Sequence, residues 1–352
     1  VREYDDEIEE AQGIARELME NHGASSMRWG HAAVLYRSNF QAREIEKALR
    51  EYGIPYRVTG GPSWFDAREI RDGLAYLKLL LNPEDNPSFM RVANTPRRGI
   101  GSSSLARLME FARASKLSLL AAASDAPFQR ELPERAARGL RSFTNLLIDF
   151  NDRLERGDSD QTGALFRELL EHIDYGEWLD EQADKPEQAR RRRKSLDDLV
   201  RWVERLAADT DSGEELIARV TLAAGPDDDR DDSADEVRLM TLHAAKGLEF
   251  PRVWLAGLEE GLLPHRHSVE EGRIEEERRL MYVGLTRAER RLSLSLCATR
   301  RVFGETTRRE PSRFLEELPV ELLDWPGKDG RPPPTADEAR GNLAALKAML
   351  DG

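Results

Sequence analysis

The chain has 352 residues, of which 39% are hydrophobic and 34% are charged, and its formal net charge is −13. This composition is typical of charge-rich globular proteins; no apolar run approaches the roughly 20 residues that span a bilayer, so no membrane association is expected. Cys297 is the only cysteine, which excludes an intrachain disulfide and favours a reducing, cytoplasmic location. The negative net charge argues against sequence-independent nucleic-acid binding unless cations cluster locally.

The first ninety residues alternate between helix and strand patterns. Apolar residues at helical spacing predict a helix over residues 8–18. The apolar run 32–36 predicts a buried strand, and a helix around 45–49 and a second strand over 54–58 follow. A long helix is expected from about 66 to 81. Strands that alternate with helices predict a parallel α/β sheet.

The middle of the chain, residues 93–236, has almost no strand signal and is predicted to be mostly helical. Apolar periodicity is clearest in four segments: 105–111, 140–154, 164–173 and 196–206. Residues 190–194 are five consecutive cations on a predicted helix, and a solvated helix face is preferred over contact with DNA or a partner for them. The Asp-rich run 227–235 is polar and follows no hydrophobic strand, so it is interpreted as an exposed connector and not as a metal site.

Strand patterns return over 237–242, 253–255 and 292–296, with a helix over 274–285 between the last two. The simplest topology is one α/β domain, formed by residues 1–92 and 237–325 and interrupted by a helical inserted domain, 93–236. Residues 326–352 contain three consecutive prolines and are expected to form a flexible C-terminal tail.

Residues 237–250, VRLMTLHAAKGLEF, place a polar loop directly after a strand. Ligands bind beyond the carboxyl ends of strands in open α/β sheets. Four polar side chains are therefore expected near that edge: Thr241, His243, Lys246 and Glu249. Small residues, Gly247 among them, would let a ligand approach closely. On chemistry alone an ordinary strand-to-helix turn explains the segment equally well.

Residues 275–291, EEERRLMYVGLTRAERR, allow a helix to end near Gly284 and to project Arg287. An arginine that reaches across a domain boundary to a γ-phosphate stabilises the charge that develops in phosphoryl transfer. The spacing does not separate this interpretation from that of an ordinary surface arginine, because four other arginines stand in the same segment.

The two segments together resemble motifs V and VI of the UvrD/Rep/PcrA helicases, a group of superfamily-one DNA helicases. Four further stretches are similar to the same family in the same order: 33–61, 65–83, 258–265 and 310–319. The resemblance covers nearly all of the predicted α/β part, and residues 294–325 look most similar to the Rep branch. It implies a RecA-like domain of the P-loop NTPase type and an ATP-dependent helicase that moves 3′ to 5′ on single-stranded DNA.

Site residues follow from the resemblance by position. It implies that Arg287 is the arginine finger at the γ-phosphate, and that Glu249, with Gly247 beside it, contacts the nucleotide. Thr241 and His243 would lie between the nucleotide and single-stranded DNA. The histidine of LLPH, His265, would lie along the DNA track, with an ordinary loop histidine as the alternative.

The segment TPRRGIG, residues 95–101, resembles the glycine hairpin of helix-hairpin-helix elements. Backbone N–H groups at such a turn can approach phosphates closely, and the helix that follows adds a favourable dipole. Four residues are candidates for duplex contact: Arg97, Arg98, Gly99 and Gly101. A plain interhelix turn is the alternative.

No G-x-x-x-x-G-K-[ST] sequence occurs in the chain, and no Asp-Glu pair that would bind Mg²⁺ follows a strand. The family carries these in its first RecA-like domain, so the chain resembles a C-terminal fragment that lacks the P-loop. ATP and Mg²⁺ are expected in the full-length enzyme, held mainly by the missing domain, and none is expected on this chain alone. Without a P-loop, the isolated chain is expected to be inactive as an ATPase.

Expected partners are single-stranded and forked DNA, the missing N-terminal RecA-like domain of the same protein, and a replisome protein at the tail. The role implied is translocation and unwinding in replication or repair. The alternative is a non-catalytic DNA- or replisome-binding module derived from such a helicase. A helicase–nuclease fusion is disfavoured because no nuclease-like domain follows Trp325.

Overall fold

The computed structural model describes residues 1–25, 27–156, 161–210, 213–223, 235–302, 305–319 and 322–326. The chain divides into two compact units, one formed by Val1–Trp64 with Asp227–Gly352 and the other by Phe65–Pro226. Among the described helices, none has both the length and the apolar character needed to cross a membrane. The predicted tail, except Pro326, and the Asp-rich connector, except Asp235, lie outside the described residues.

The first unit is built on a six-stranded sheet of order β1-β6-β5-β2-β4-β3, in which every neighbouring pair is parallel. Its strands are β1 Arg2–Tyr4, β2 Ala32–Tyr36, β3 Tyr56–Thr59, β4 Val237–Thr241, β5 Phe250–Leu255 and β6 Ala288–Cys297. A separate antiparallel hairpin joins β7 Thr299–Val302 to β8 Glu305–Arg308. The predicted parallel α/β sheet is confirmed, and the five predicted strands all occur in it.

Helices cover both faces of this sheet, as the fully apolar β2 predicts. The helices of the unit are α1 Glu7–Ser25, α2 Ala42–Glu51, α13 Arg266–Glu270 and α14 Ile274–Leu285. Val34 and Leu239 face the apolar residues of α1 and α2. On the opposite face, Leu35 and Leu255 pack with Met281 of α14.

The described part of the second unit is helical. Its helices are α3 Arg68–Leu81, α4 Asn86–Val92, α5 Ser102–Ser115, α6 Leu119–Ala123, α7 Ala126–Arg130, α8 Glu134–Arg156, α9 Thr162–His172, α10 Tyr175–Glu181, α11 Pro186–Ala208 and α12 Gly213–Ala223. Residues 190–194 lie on α11, as expected, and Arg193 on this helix pairs with Asp180 at 2.6 Å.

Helix α3 belongs to the second unit, although the sequence placed residues 65–92 with the first. Tyr76 of α3 packs edge-on against Phe143, with ring centroids 6.4 Å apart. The Tyr175 hydroxyl donates to Asp72 of α3 at 3.0 Å. The border between the compact units therefore follows Trp64 and not residue 92, because α3 buries its apolar face among α8, α9 and α11.

Candidate functional site

The two motif segments, 237–250 and 275–291, lie side by side. In the parallel pairing of β5 with β6, Phe250 is opposite Ala288. The Phe250 N–H donates to the Arg287 carbonyl oxygen at 2.9 Å, and the Arg287 guanidinium donates to the Leu248 carbonyl oxygen at 2.6 Å. The structure thus brings the loop that carries Glu249 against the turn that carries Arg287.

Arg287 lies just beyond the end of α14 and is partly exposed. Besides the Leu248 carbonyl, its guanidinium donates to the Val283 carbonyl at 2.8 Å and to the Thr286 hydroxyl at 3.0 Å. All of these acceptors are neutral oxygens, so the positive charge has no carboxylate partner among these hydrogen bonds. An anion that reached this edge would therefore meet an uncompensated guanidinium.

The loop beside Arg287 is open. Glu249 and Gly247 are both exposed. Gly247 has a φ of +84°, and among the described residues, its two chain neighbours apart, no atom lies within 4 Å of where its Cβ would stand. The left-handed backbone favours glycine here, and the described residues leave the space at this position open.

Arg287 and Thr241 lie at opposite edges of the sheet. Thr241 is the last residue of β4, whereas Glu249 and Arg287 immediately precede β5 and β6. Because these strands are parallel, Thr241 is at the carboxyl edge, and Glu249 and Arg287 are at the amino edge. The expectation that Glu249 shares an edge with Thr241 and His243 is therefore corrected: the segment 242–249 crosses from one edge to the other.

The loops that follow β3 and β4 meet at the carboxyl edge. The Thr241 hydroxyl accepts from the Ala244 N–H at 3.2 Å, and His243 beside it is exposed. A Cβ on Gly60, which follows β3, would lie 2.9 Å from the Ala244 methyl group. The loops after β3 and β4 are therefore closely packed beside the exposed His243.

Glu277 joins the loops of the carboxyl edge to α14. Its side chain is 2% exposed and accepts hydrogen bonds from Nε and Nη2 of Arg37, at 3.0 and 2.7 Å. It also accepts the His265 N–H at 2.9 Å and the Ser268 hydroxyl at 2.8 Å. Burial opposes ionisation of Glu277, but the hydrogen bonds from Arg37, His265 and Ser268 outweigh it and hold its pKa below the usual value.

The sequence analysis missed Glu277, although a signal for it exists. Glu277, Met281 and Gly284 are the buried residues of α14 and recur at helical spacing. A carboxylate on the apolar face of a helix must find donors, so its position within the acidic run 275–277 could have singled it out. His265 stands at the N-cap position of α13 without a side-chain cap hydrogen bond and is partly exposed. Its N–H and Arg37 share Glu277 as their acceptor, so it lies near Arg37 and the carboxyl edge.

The TPRRGIG turn separates its two arginines. Arg97 is exposed. Arg98, in contrast, turns inward: its guanidinium donates to the Val92 carbonyl at 2.9 Å and the Tyr76 hydroxyl at 2.8 Å, and lies 4.5 Å from the Phe143 ring centre. The guanidinium of Arg98, expected to contact duplex DNA, is therefore engaged with the end of α4 in this structure, and the expected DNA contact stays a prediction.

The two glycines of the same turn also differ. Gly99 has a φ of +77°, and a Cβ there would lie 2.6 Å from Nε of Arg135. A Cβ on Gly101 would meet only the Ser103 hydroxyl oxygen, at 3.9 Å. Gly101 precedes α5 with no side-chain cap, so the first N–H groups of α5 lack a side-chain acceptor from that residue. Gly99 is needed for the turn, whereas Gly101 leaves the helix start open.

Among the described residues, a cluster with the spacing of metal ligands is formed by Glu10, Glu259 and Cys297. Arg300 occupies its centre: Nε donates to both Glu259 oxygens at 2.9 and 2.8 Å, and Nη2 donates to Glu10. Burial raises the pKa of the Cys297 thiol, so this residue is not a ready thiolate. The guanidinium already supplies the positive charge that a metal would bring, and the cluster is a buried ion-pair network.

Comparison with known proteins gives a consistent family. The model of the UvrD-like helicase C-terminal domain matches residues 1–299. The chain is 40% identical to the ATP-dependent DNA helicase Rep of Salmonella typhimurium over 354 residues, which is 98% of this chain and 52% of that protein. It is 38% identical to the ATP-dependent DNA helicase PcrA of Bacillus subtilis and 36% identical to DNA helicase II of Escherichia coli, over 91% and 90% of this chain and 44% of each relative.

The chain thus spans about half the length of the curated relatives it matches. The family match extends over the whole parallel sheet and over both motif segments, which the structure places side by side. Sequence, fold and comparison agree, and the chain belongs to the UvrD-like helicase C-terminal domain family.

Proposed function

We propose that this chain is the second motor domain, with its helical inserted domain, of an ATP-dependent DNA helicase. The observation that carries the proposal is the position of Arg287, a guanidinium hydrogen-bonded only to neutral oxygens at an open sheet edge, in a chain that has no P-loop. Such an arginine can serve a phosphate held by another domain.

In this proposal, one edge of the sheet binds the nucleotide and the other binds DNA. At the amino edge, Arg287, Glu249 and Gly247 face the nucleotide. At the carboxyl edge, Thr241 and His243 contact single-stranded DNA, and His265 lies along the same track. Support comes from the parallel strand register, which places the two groups at opposite ends of the strands.

In the proposed mechanism, a preceding RecA-like domain holds ATP and Mg²⁺, as the family resemblance implies and as the roughly twofold greater length of the curated relatives supports. Closure of the two motor domains brings Arg287 to the γ-phosphate, where its charge stabilises the transition state. Opening after hydrolysis releases the products. Alternating grip on single-stranded DNA then produces movement, in the 3′ to 5′ direction that the family resemblance implies.

The inserted unit is proposed to touch duplex DNA at the fork through the open start of α5 and Arg97. Support comes from the exposed side chain of Arg97 and from the space around Gly101. Contacts of this kind would be made to phosphates and would carry no base sequence preference. Binding of a replisome protein at the tail, residues 326–352, is proposed from the sequence alone.

Replacing Arg287 with alanine tests the proposal. In the full-length protein, DNA-stimulated ATP hydrolysis is expected to fall by roughly three orders of magnitude or more. Affinity for single-stranded DNA should stay within about twofold, because Arg287 lies at the edge opposite the DNA contacts. The isolated chain should not hydrolyse ATP. The matched control is Arg290→Ala, an exposed arginine of the same segment.

Equal loss of DNA binding and hydrolysis in Arg287→Ala would contradict the assignment and make Arg287 a structural or DNA-contacting residue. Steady hydrolysis by the isolated chain that disappears in Arg287→Ala would contradict the need for a second domain. A full-length protein that binds forked DNA but never hydrolyses ATP would favour the alternative, a non-catalytic DNA- or replisome-binding module.

A further inference from the structure

Glu277 is a buried carboxylate that the proposed function has not yet used. It lies near the start of α14, while Arg287 follows the end of the same helix. We propose that Glu277 is a positioning residue that fixes the DNA-side loops to α14 and thereby ties DNA contact to the placement of Arg287. This inference rests on the function proposed above.

The bonds to Glu277 come from separate segments of the chain. Arg37 follows β2, and its fork spans both carboxylate oxygens at 3.0 and 2.7 Å. The His265 N–H and the Ser268 hydroxyl come from the start of α13, at 2.9 and 2.8 Å. One side chain therefore holds the β2 loop and the LLPH loop together. If DNA displaced either loop, the displacement would change the position of the Glu277 carboxylate.

Helix α14 is suited to pass such a shift across the sheet. From Glu277 to Arg287 the chain advances by ten residues, about 15 Å at the helical rise, which is close to the length of the strands beneath. A Cβ on Gly284 would lie 2.6 Å from Cδ2 of Leu242, so the helix backbone presses directly on the residue that follows Thr241. Close packing of this kind leaves little room for the helix to slide or bend independently.

The charge of Glu277 is part of the arrangement. Its donors are a guanidinium fork, a backbone N–H and a hydroxyl, which together favour the ionised form despite burial. Glutamine has the same size but presents an NH₂ group to some of these donors, so at least one of them loses its acceptor. Arg37→Lys keeps the positive charge and loses the two-pronged geometry.

The test measures DNA-stimulated ATP hydrolysis by the full-length protein with oligothymidylate. In Glu277→Gln, the half-saturating DNA concentration is expected to rise roughly tenfold, as loss of a charge-assisted hydrogen bond predicts, while KM for ATP stays within about twofold. Fewer base pairs should be unwound per ATP. The control is Glu276→Gln, an exposed carboxylate on the same helix, which should match the wild type.

A second variant guards against misfolding. Arg37→Lys should also raise the half-saturating DNA concentration. The double variant with Glu277→Gln should need no more DNA than Glu277→Gln alone, since both substitutions weaken the same ion pair. The inference is overturned if Glu277→Gln has the same half-saturating DNA concentration as Glu276→Gln. It is also overturned if Glu277→Gln raises both KM for ATP and the half-saturating DNA concentration and lowers the melting temperature. Additive effects of the two substitutions would also overturn it. A wild-type protein without DNA-stimulated hydrolysis would overturn the proposed function itself.

Discussion

Replacing Arg300 with methionine is expected to destabilise the sheet-bearing unit strongly. The Arg300 side chain is 7% exposed and lies between the carboxylates of Glu10 and Glu259, which are 4% and 0% exposed. Methionine keeps much of the length but removes the charge and all of the donors. Glu259 then keeps the more distant cation Arg309, whose Nε is 3.8 Å away, while Glu10 loses the cation with which it pairs.

The size of the effect follows from the burial. Removing one partner of a buried ion pair costs about 3–5 kcal/mol, because the other charge is left uncompensated. For a unit of this size, each kcal/mol corresponds to about 2–4 °C, so the melting temperature should fall by roughly 6–20 °C. The matched control is Arg301→Met, a neighbouring exposed arginine, which should change stability by less than about 0.5 kcal/mol.

The loss should depend on pH in a defined direction. In the wild type, burial opposes ionisation of Glu10, but Arg300 and the hydrogen bonds from Ser295 and Gly257 outweigh it and hold the pKa below the usual value. That contribution is present above the unfolded-state pKa and is lost as the pH falls through the folded one. Without Arg300, burial dominates and the Glu10 pKa should rise, which penalises folding at higher pH. The gap between wild type and Arg300→Met should therefore be widest near about pH 8 and narrow towards about pH 5.

Calorimetric unfolding of wild type, Arg300→Met and Arg301→Met across this pH range checks the reasoning. Adding Glu10→Gln and Glu259→Gln to Arg300→Met should recover part of the stability, because the uncompensated charges are removed. The reasoning is refuted if Arg300→Met unfolds like Arg301→Met, or if its deficit is the same at every pH.

Three further predictions concern packing and accessibility. Gly99→Ala should lower the free energy of unfolding by about 1–2 kcal/mol in a thermal melt, because φ is +77°. Gly101→Ala should melt like the wild type but weaken duplex binding in a gel shift. Unchanged duplex binding would make residues 95–101 an ordinary turn. Gly284→Ala should cost about 1–3 kcal/mol by urea unfolding, since its Cβ would overlap Leu242, and an unaltered midpoint would contradict the packing. The buried thiol of Cys297, with its raised pKa, should react with a thiol reagent only after unfolding; equally fast labelling of the native chain would show that it is accessible.

Elements with a strong apolar period were predictable from sequence. The α14 helix has the bounds expected, Ile274–Leu285, and β2 coincides with the apolar run 32–36. Strand β1, with the sequence REY, and the hairpin strands TRRV and ETTR were not predicted. None of the three carries apolar alternation, and β1 in addition pairs with a strand far along the chain, with Arg2 opposite Ser295, which a local pattern does not encode.

Assignments that depend on distant contacts were not predictable. Helix α3 was expected as a helix, but its unit is decided by partners such as Phe143, far along the chain. Arg97 and Arg98 are adjacent and chemically identical, and only the carbonyls and ring around Arg98 separate their roles. Likewise, Glu249 lies at the edge opposite Thr241 because β4 and β5 run in the same direction and Glu249 directly precedes β5, which the composition of the loop alone does not reveal.

The carbonyl oxygen of Leu248 acts as an internal competitor for Arg287. Their hydrogen bond, 2.6 Å long, holds one of the five N–H donors of the guanidinium, so it competes with a phosphate for that donor in the function proposed above. A nucleotide that uses this donor binds only to the fraction of molecules in which the hydrogen bond is open, and its apparent Kd rises by the inverse of that fraction. In that function, substitutions that weaken the Leu248–Arg287 hydrogen bond and leave Gly247 and Glu249 unchanged should therefore lower the apparent Kd for the nucleotide, so the strength of one backbone contact would set how readily the nucleotide binds.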